Sequence, residues 1–154
     1  MNERYLYRGK RKDNGEWVTG YLIKGNNTYI VTPESIYYMV VSISYIASVE
    51  FVEVLPETIG QCTGLRDKNG KLIFEGDVVK YQFDNDDCPF PNKRTDKIIG
   101  KIFFSSWRAS FSVTAGKNLS DILNNDLFRY VRNGNRVDVI GNIHDNPELL
   151  EVEK

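Results

Sequence analysis

Residues 56–81 read PETIGQCTGLRDKNGKLIFEGDVVKY, and the reading of this stretch decides the fold. Asn69-Gly70 is the dipeptide that best tolerates the positive φ angles of a two-residue turn, so a β-hairpin is expected here. Gly64 and Gly76 bracket it, and Glu75-Gly76-Asp77 leads into the strand-like Val78-Val79-Lys80-Tyr81. Upstream, Gly9–Gly15 repeats the form G-x-R-x-x-N-G found at Gly64–Gly70. Each copy is followed by apolar residues, Trp17-Val18 or Leu72-Ile73, and by a further glycine, Gly20 or Gly76. Two hairpins with one turn chemistry account for the recurrence. An internal duplication of a β-unit is the alternative.

Period-2 patterning and β-branched or aromatic enrichment extend this reading along the chain. Strands are expected at Arg4–Gly9, Trp17–Lys24, Thr28–Val31, Tyr38–Tyr45 and Phe51–Val54. Others follow at Asp77–Phe83, Lys97–Ser105, Ala109–Thr114 and Arg136–Ile140, with the polar run Asp84–Asp96 as an excursion between two of them. Leu119, Ile122, Leu123, Leu127, Tyr130 and Val131 recur at the spacing of one buried helical face. Asn118 or Ser120 would cap that helix, and Asn133-Gly134 would end it. A second short helix is expected from Asn146, with Pro147 as its first residue.

The opening YRGKRKDNGEWVTG (7–20), the central stretch, and VIGNIHDNPELL (139–150) resemble, in this order, the motifs of the YopX-like family of phage and prophage proteins. The resemblance implies a mostly β, hairpin-rich fold whose C-terminal half is a small SH3-like barrel with one or two short helices. It divides the chain into an N-terminal β-rich segment, 1–55, and a C-terminal barrel, 56–154. It implies no chemistry. The motif residues Gly60, Gln61, Thr63, Gly64, Asp67 and Gly70 are assigned to shaping turns, as are Glu75, Gly76, Asp77, Gly141, Asn142, Asn146 and Pro147. Cys62 stands where relatives are expected to carry an aromatic or small residue.

Composition narrows the function classes. The 154 residues carry 20 basic and 21 acidic side chains, for a net charge of −1. A protein held by phosphate contacts usually has a basic excess, so nucleic-acid binding is not favoured, although a local patch stays open. Balanced charge leaves little repulsion between copies, which permits homo-oligomerisation. The two cysteines, Cys62 and Cys88, are too few for a disulfide framework and lack metal spacing. No apolar leader or spanning segment is seen, and a cytoplasmic location in a bacterial host is expected, with no membrane contact.

The chemical readings fail one by one. A phosphate loop needs four residues before Gly-Lys and then Ser or Thr; five residues separate Gly64 from Gly70-Lys71, and Leu72 follows. The acids Asp84, Asp86 and Asp87 lack the Gly and Glu of a calcium loop. His144 is the single histidine and has no nucleophile motif beside it. Glu75 and Asp77 could share a strand face as an acid–base pair, but acids at a tight turn more often accept backbone N–H groups. The expectation is therefore no catalytic residue, no cofactor and no metal. Basic residues gather at Arg4, Arg8, Lys10, Arg11 and Lys12, and again at Lys93, Arg94, Lys97, Lys101 and Arg108 beside Trp107. Trp107, Arg108, Lys97 and Lys101 are the candidate partner-binding residues. The second cluster could also form a stacking and phosphate surface for a single strand.

Overall fold

The computed structural model describes residues 3–34, 50–82, 97–114, 126–132 and 134–151. The protein is mostly β and built from antiparallel sheets. It divides into two compact units, Met1–Cys62 and Thr63–Lys154. The division falls inside the strand whose Gly60 and Gln61 pair with Arg8 and Tyr7.

In the first unit, β1 (Tyr7–Lys10), β2 (Trp17–Lys24), β3 (Thr28–Val31) and β4 (Phe51–Glu53) are sequential antiparallel neighbours. Ile30, Val52 and Val54 form its core, with Val18, Leu22 and Ile59 against them. Two of the strands expected in this unit begin or end elsewhere. The first starts at Tyr7, since Glu3–Tyr5 is a 3-10 turn closed by the Leu6 N–H on the Glu3 carbonyl. The expected strand Tyr38–Tyr45 lies outside the described residues.

The strand β5 (Gly60–Arg66) straddles the division, and in the second unit it turns into β6 (Leu72–Phe74). Next come β7 (Asp77–Gln82), β8 (Lys97–Ser105), β9 (Ser110–Val113) and β10 (Asp138–Asn142), arranged in the order β10-β7-β8-β9. One face of this sheet is apolar because β-strand side chains alternate. Val79 and Tyr81 of β7 and Ile102 of β8 join Ile73, Val113, Leu127, Tyr130 and Val137 in the core. The helix α1 (Leu127–Arg132) supplies Leu127 and Tyr130, whose ring lies 4.9 Å from that of Tyr81. Burial raises the Tyr81 phenol well above its ordinary value, and the neighbouring Tyr130 adds to the effect.

Residues 119–123 of the expected helix, with its proposed caps, lie outside the described residues. Its end is as expected: Gly134 has φ +76, and the Arg136 N–H turns back to the Tyr130 carbonyl. That bond also delays the last strand, which pairs from Asp138 opposite Lys80 and not from Arg136. The closing helix at Pro147–Leu150 is a 3-10 turn.

Candidate functional site

The central hairpin differs from the two-residue turn expected. Only Gly70 is left-handed, at φ +83, while the Asp67 N–H reaches the Lys71 carbonyl at 2.8 Å. Lys68, Asn69 and Gly70 thus form a three-residue loop ending in a left-handed glycine, the next commonest hairpin type. The upstream hairpin instead holds four residues, Lys12 to Gly15, between the bonded Arg11 and Glu16. Its second glycine, Gly20, sits in a strand against the Val31 carbonyl, whereas Gly76 lies in a turn at φ +83. The two copies share a turn glycine and little more, as shared turn chemistry requires.

Asp67 is the hub of the second unit. It is 3% exposed, and its Oδ1 accepts the N–H groups of Asn69 and Lys71 at 2.8 and 2.9 Å. Its Oδ2 accepts the Val139 N–H at 3.1 Å, which ties the hairpin to β10. Burial alone would raise its pKa, but these N–H bonds outweigh that and hold the carboxyl below the ordinary Asp value. Two more ties run beside it: Lys68 Nζ contacts Asp138 at 2.6 Å, and the Asn135 amide donates to the Arg66 carbonyl.

The other motif residues are also built into the backbone. Thr63 donates to the Ile73 carbonyl and accepts the Leu65 N–H, beside Gly64 at φ +76. Gln61 Nε2 donates to the Arg4 carbonyl. Asp77, 1% exposed, takes the Phe74 N–H at 2.8 Å, and Glu75 takes the Phe104 N–H at 3.2 Å. In the closing motif, Asn142 Oδ1 accepts the N–H groups of His144 and Asp145, while its Nδ2 donates to Asp145. A side chain at Gly141 would meet the side-chain ends of Asn146 and Leu149, which would have to shift to make room. Pro147 opens the 3-10 turn that follows.

The N-terminal basic cluster is largely spent within its own unit. Arg11 makes a two-pronged contact with Asp13 at 2.8 and 3.0 Å, and Lys12 meets Glu53 at 2.7 Å. Arg8 and Lys10 lie over the Trp17 ring at 4.9 and 5.5 Å.

The four candidate partner-binding residues separate along β8. Trp107 stands at the tip of the β8–β9 hairpin, 85% exposed, with the Arg108 guanidinium 5.2 Å over its ring. Phe104 is also exposed and meets Phe111 edge-on, with centroids 5.4 Å apart. Lys97 begins the strand, about 26 Å from Ser105 at the usual rise per residue. There it lines a hollow of ≈ 200 Å³ with Lys68, Lys80, Gln82, Asn135, Arg136 and Asp138. Lys101 shares its strand face but does not line the hollow, and its N–H donates to Thr114 Oγ1. Lys93 and Arg94 lie outside the described residues. Lys68, Lys80, Gln82 and Arg136 were missed as candidates. Their signal was the alternation of Lys80 and Gln82 with core Val79 and Tyr81, which gains meaning once β10 is known to flank β7.

No described helix is long and apolar enough to cross a membrane. Comparison with curated proteins finds no match. Among solved structures, protein EF1440 from Enterococcus faecalis is similar at 22% identity, covering 94% of this chain and 96% of that one, with a TM-score of 0.48. The family model of the YopX protein matches residues 6–151, a span that holds the opening, central and closing motifs together. The chain belongs to the YopX family.

Proposed function

We propose that this protein is a non-enzymatic accessory protein of phage or prophage origin, acting in the bacterial cytoplasm as a protein-binding or self-assembling module whose partner is a second copy or a host or phage protein. The observation that carries the reading is Trp107, a large apolar ring 85% exposed at a hairpin tip, with Phe104 exposed nearby. Exposed aromatic anchors of this kind dominate protein contacts when a partner covers them. A second copy of this chain is the favoured partner, since the balance of 20 basic and 21 acidic residues leaves little repulsion between copies. In this reading the second unit acts as a small SH3-like barrel, and the motif turns hold the hairpin rigid. Light scattering across a concentration series tests it. A mass above the monomer that falls in Trp107→Ala supports the reading; a monomer at every concentration opposes it.

A second reading, a nucleic-acid-binding barrel, is favoured by the basic hollow at the start of β8. It predicts DNA or RNA binding that weakens steeply with added salt.

A further inference from the structure

The first unit carries a hollow between β4 and the residues just past β1. An antiparallel bridge joins Arg11 to Val54, and the Lys12 N–H donates to the Glu53 carbonyl at 3.0 Å. Strand alternation turns Val52 and Val54 into the core, so Phe51 and Glu53 face outward. Phe51 is 55% exposed and meets Tyr29 edge-on, with centroids 6.4 Å apart. With Arg11, Lys12, Asp13, Glu50 and Glu53 it lines a hollow of ≈ 310 Å³. Arg11 holds Asp13 at 2.8 Å, and Lys12 holds Glu53 at 2.7 Å. Glu50 has a looser contact, 3.8 Å from Arg11, and its side chain is 67% exposed. The preceding residues 35–49 include no charged side chain, so the adjoining sequence supplies no further cation for it. The hollow thus offers an exposed aromatic ring beside a weakly held carboxylate.

We infer that this hollow receives Trp107 of a second copy, the ring lying against Phe51 and Arg108 facing Glu50. The inference rests on the self-assembly reading and names the surface that the exposed ring seats on. The tip of the β8–β9 hairpin has a defined shape: the Arg108 N–H reaches the Ser105 carbonyl at 3.2 Å, and Ala109 holds φ +51. Glycine adopts that left-handed conformation freely and alanine does not, so the fold specifies the tip and does not leave it loose. The Arg108 guanidinium lies 5.2 Å over the Trp107 ring, so a cation travels with the aromatic anchor. A guanidinium has five N–H donors, and a contact within its own copy leaves others for Glu50. The two faces are complementary: ring with cation on one, ring with carboxylate on the other. A tip-to-tip contact would instead bring two Arg108 side chains together. The volume is near the lower end of binding sites, about 300–1,000 Å³, which suits one inserted side chain better than an extended segment. Joining unlike faces, the contact is head-to-tail and repeats from copy to copy.

The test is sedimentation of the full chain, of Trp107→Ala, of Phe51→Ala, and of the two variants mixed in equal amounts. Trp107→Ala keeps the hollow and loses the tip; Phe51→Ala keeps the tip and loses the ring it seats on. The natural chain should associate, and each variant alone should associate about tenfold or more weakly. The mixture should regain a complex of twice the monomer mass and stop there, because one intact tip and one intact hollow remain. Circular dichroism checks folding; should Phe51→Ala be unfolded, Glu50→Lys takes its place with the same expected results. Association of the natural chain that Phe51→Ala leaves unchanged, or a mixture of folded variants without the two-copy complex, overturns this inference and leaves the self-assembly reading standing. A monomer at every concentration overturns both.

Discussion

The Asp67 carboxylate accepts the backbone N–H of Val139 at 3.1 Å, bridging 72 residues of sequence. Through this bond the central hairpin and the closing motif, two of the family's signature blocks, become one structural device. The acid acts as a staple: it satisfies two N–H groups of its own turn and one of a distant strand.

Removing that staple leaves buried donors without an acceptor. Asp67→Ala should destabilise the fold by about 2–4 kcal/mol, since bonds to a charged group and unsatisfied buried donors both contribute. Asp67→Asn should recover only part of this, because an amide nitrogen cannot accept the N–H bonds that one oxygen now takes. Chemical denaturation midpoints read both effects.

Acid should act through the same group. The folded pKa of Asp67 is depressed, so its contribution is complete above the unfolded value of about 3.9 and is lost as pH falls through the folded value. Stability of the natural protein should therefore drop between about pH 4 and the folded pKa, and this part of the drop should be missing in Asp67→Asn. Urea midpoints measured against pH check the difference.

Much of this was legible in the sequence, and the limits have physical causes. Trp17–Lys24, Thr28–Val31 and Lys97–Ser105 match the strands read from alternation, since each has one apolar face. β5 escaped an explicit boundary because Gly60, Thr63 and Gly64 interrupt its pattern to make room for turn bonds. Asn69-Gly70 signalled a hairpin, but a dipeptide does not tell a two-residue turn from a three-residue loop. The turn role of Asp67 was legible, and its bond to Val139 was not, because a contact across 72 residues leaves no local trace. The basic hollow was hidden for the same reason: Lys80 and Asp138, both in its lining, meet only through strand pairing.

Glycines should rank by their surroundings. Gly70 is left-handed with nothing within 4 Å of an added side chain, so Gly70→Ala should cost only the backbone strain, about 1–2 kcal/mol. At Gly100 an added Cβ would collide with the Thr114 carbonyl, so Gly100→Ala should cost about 3 kcal/mol or more. Equal losses at the two sites would show that the β8–β9 contact is looser than described.

The closing turn offers a charge test. Asn142 donates through Nδ2 to Asp145 at 2.8 Å. Asn142→Asp would set like charges there, costing about 1–3 kcal/mol at neutral pH and recovering as the pair takes up a proton. Thermal melts at neutral and mildly acidic pH should then converge towards the natural protein.

The most direct measurement is calorimetric melting of Asp67→Ala beside the natural protein, with solution mass recorded on the same samples. A loss of more than about 10 °C is predicted, as a cost of 2–4 kcal/mol implies for a unit of this size. An unchanged melting temperature, with mass or binding altered instead, would mean that the acid serves a ligand and not the fold.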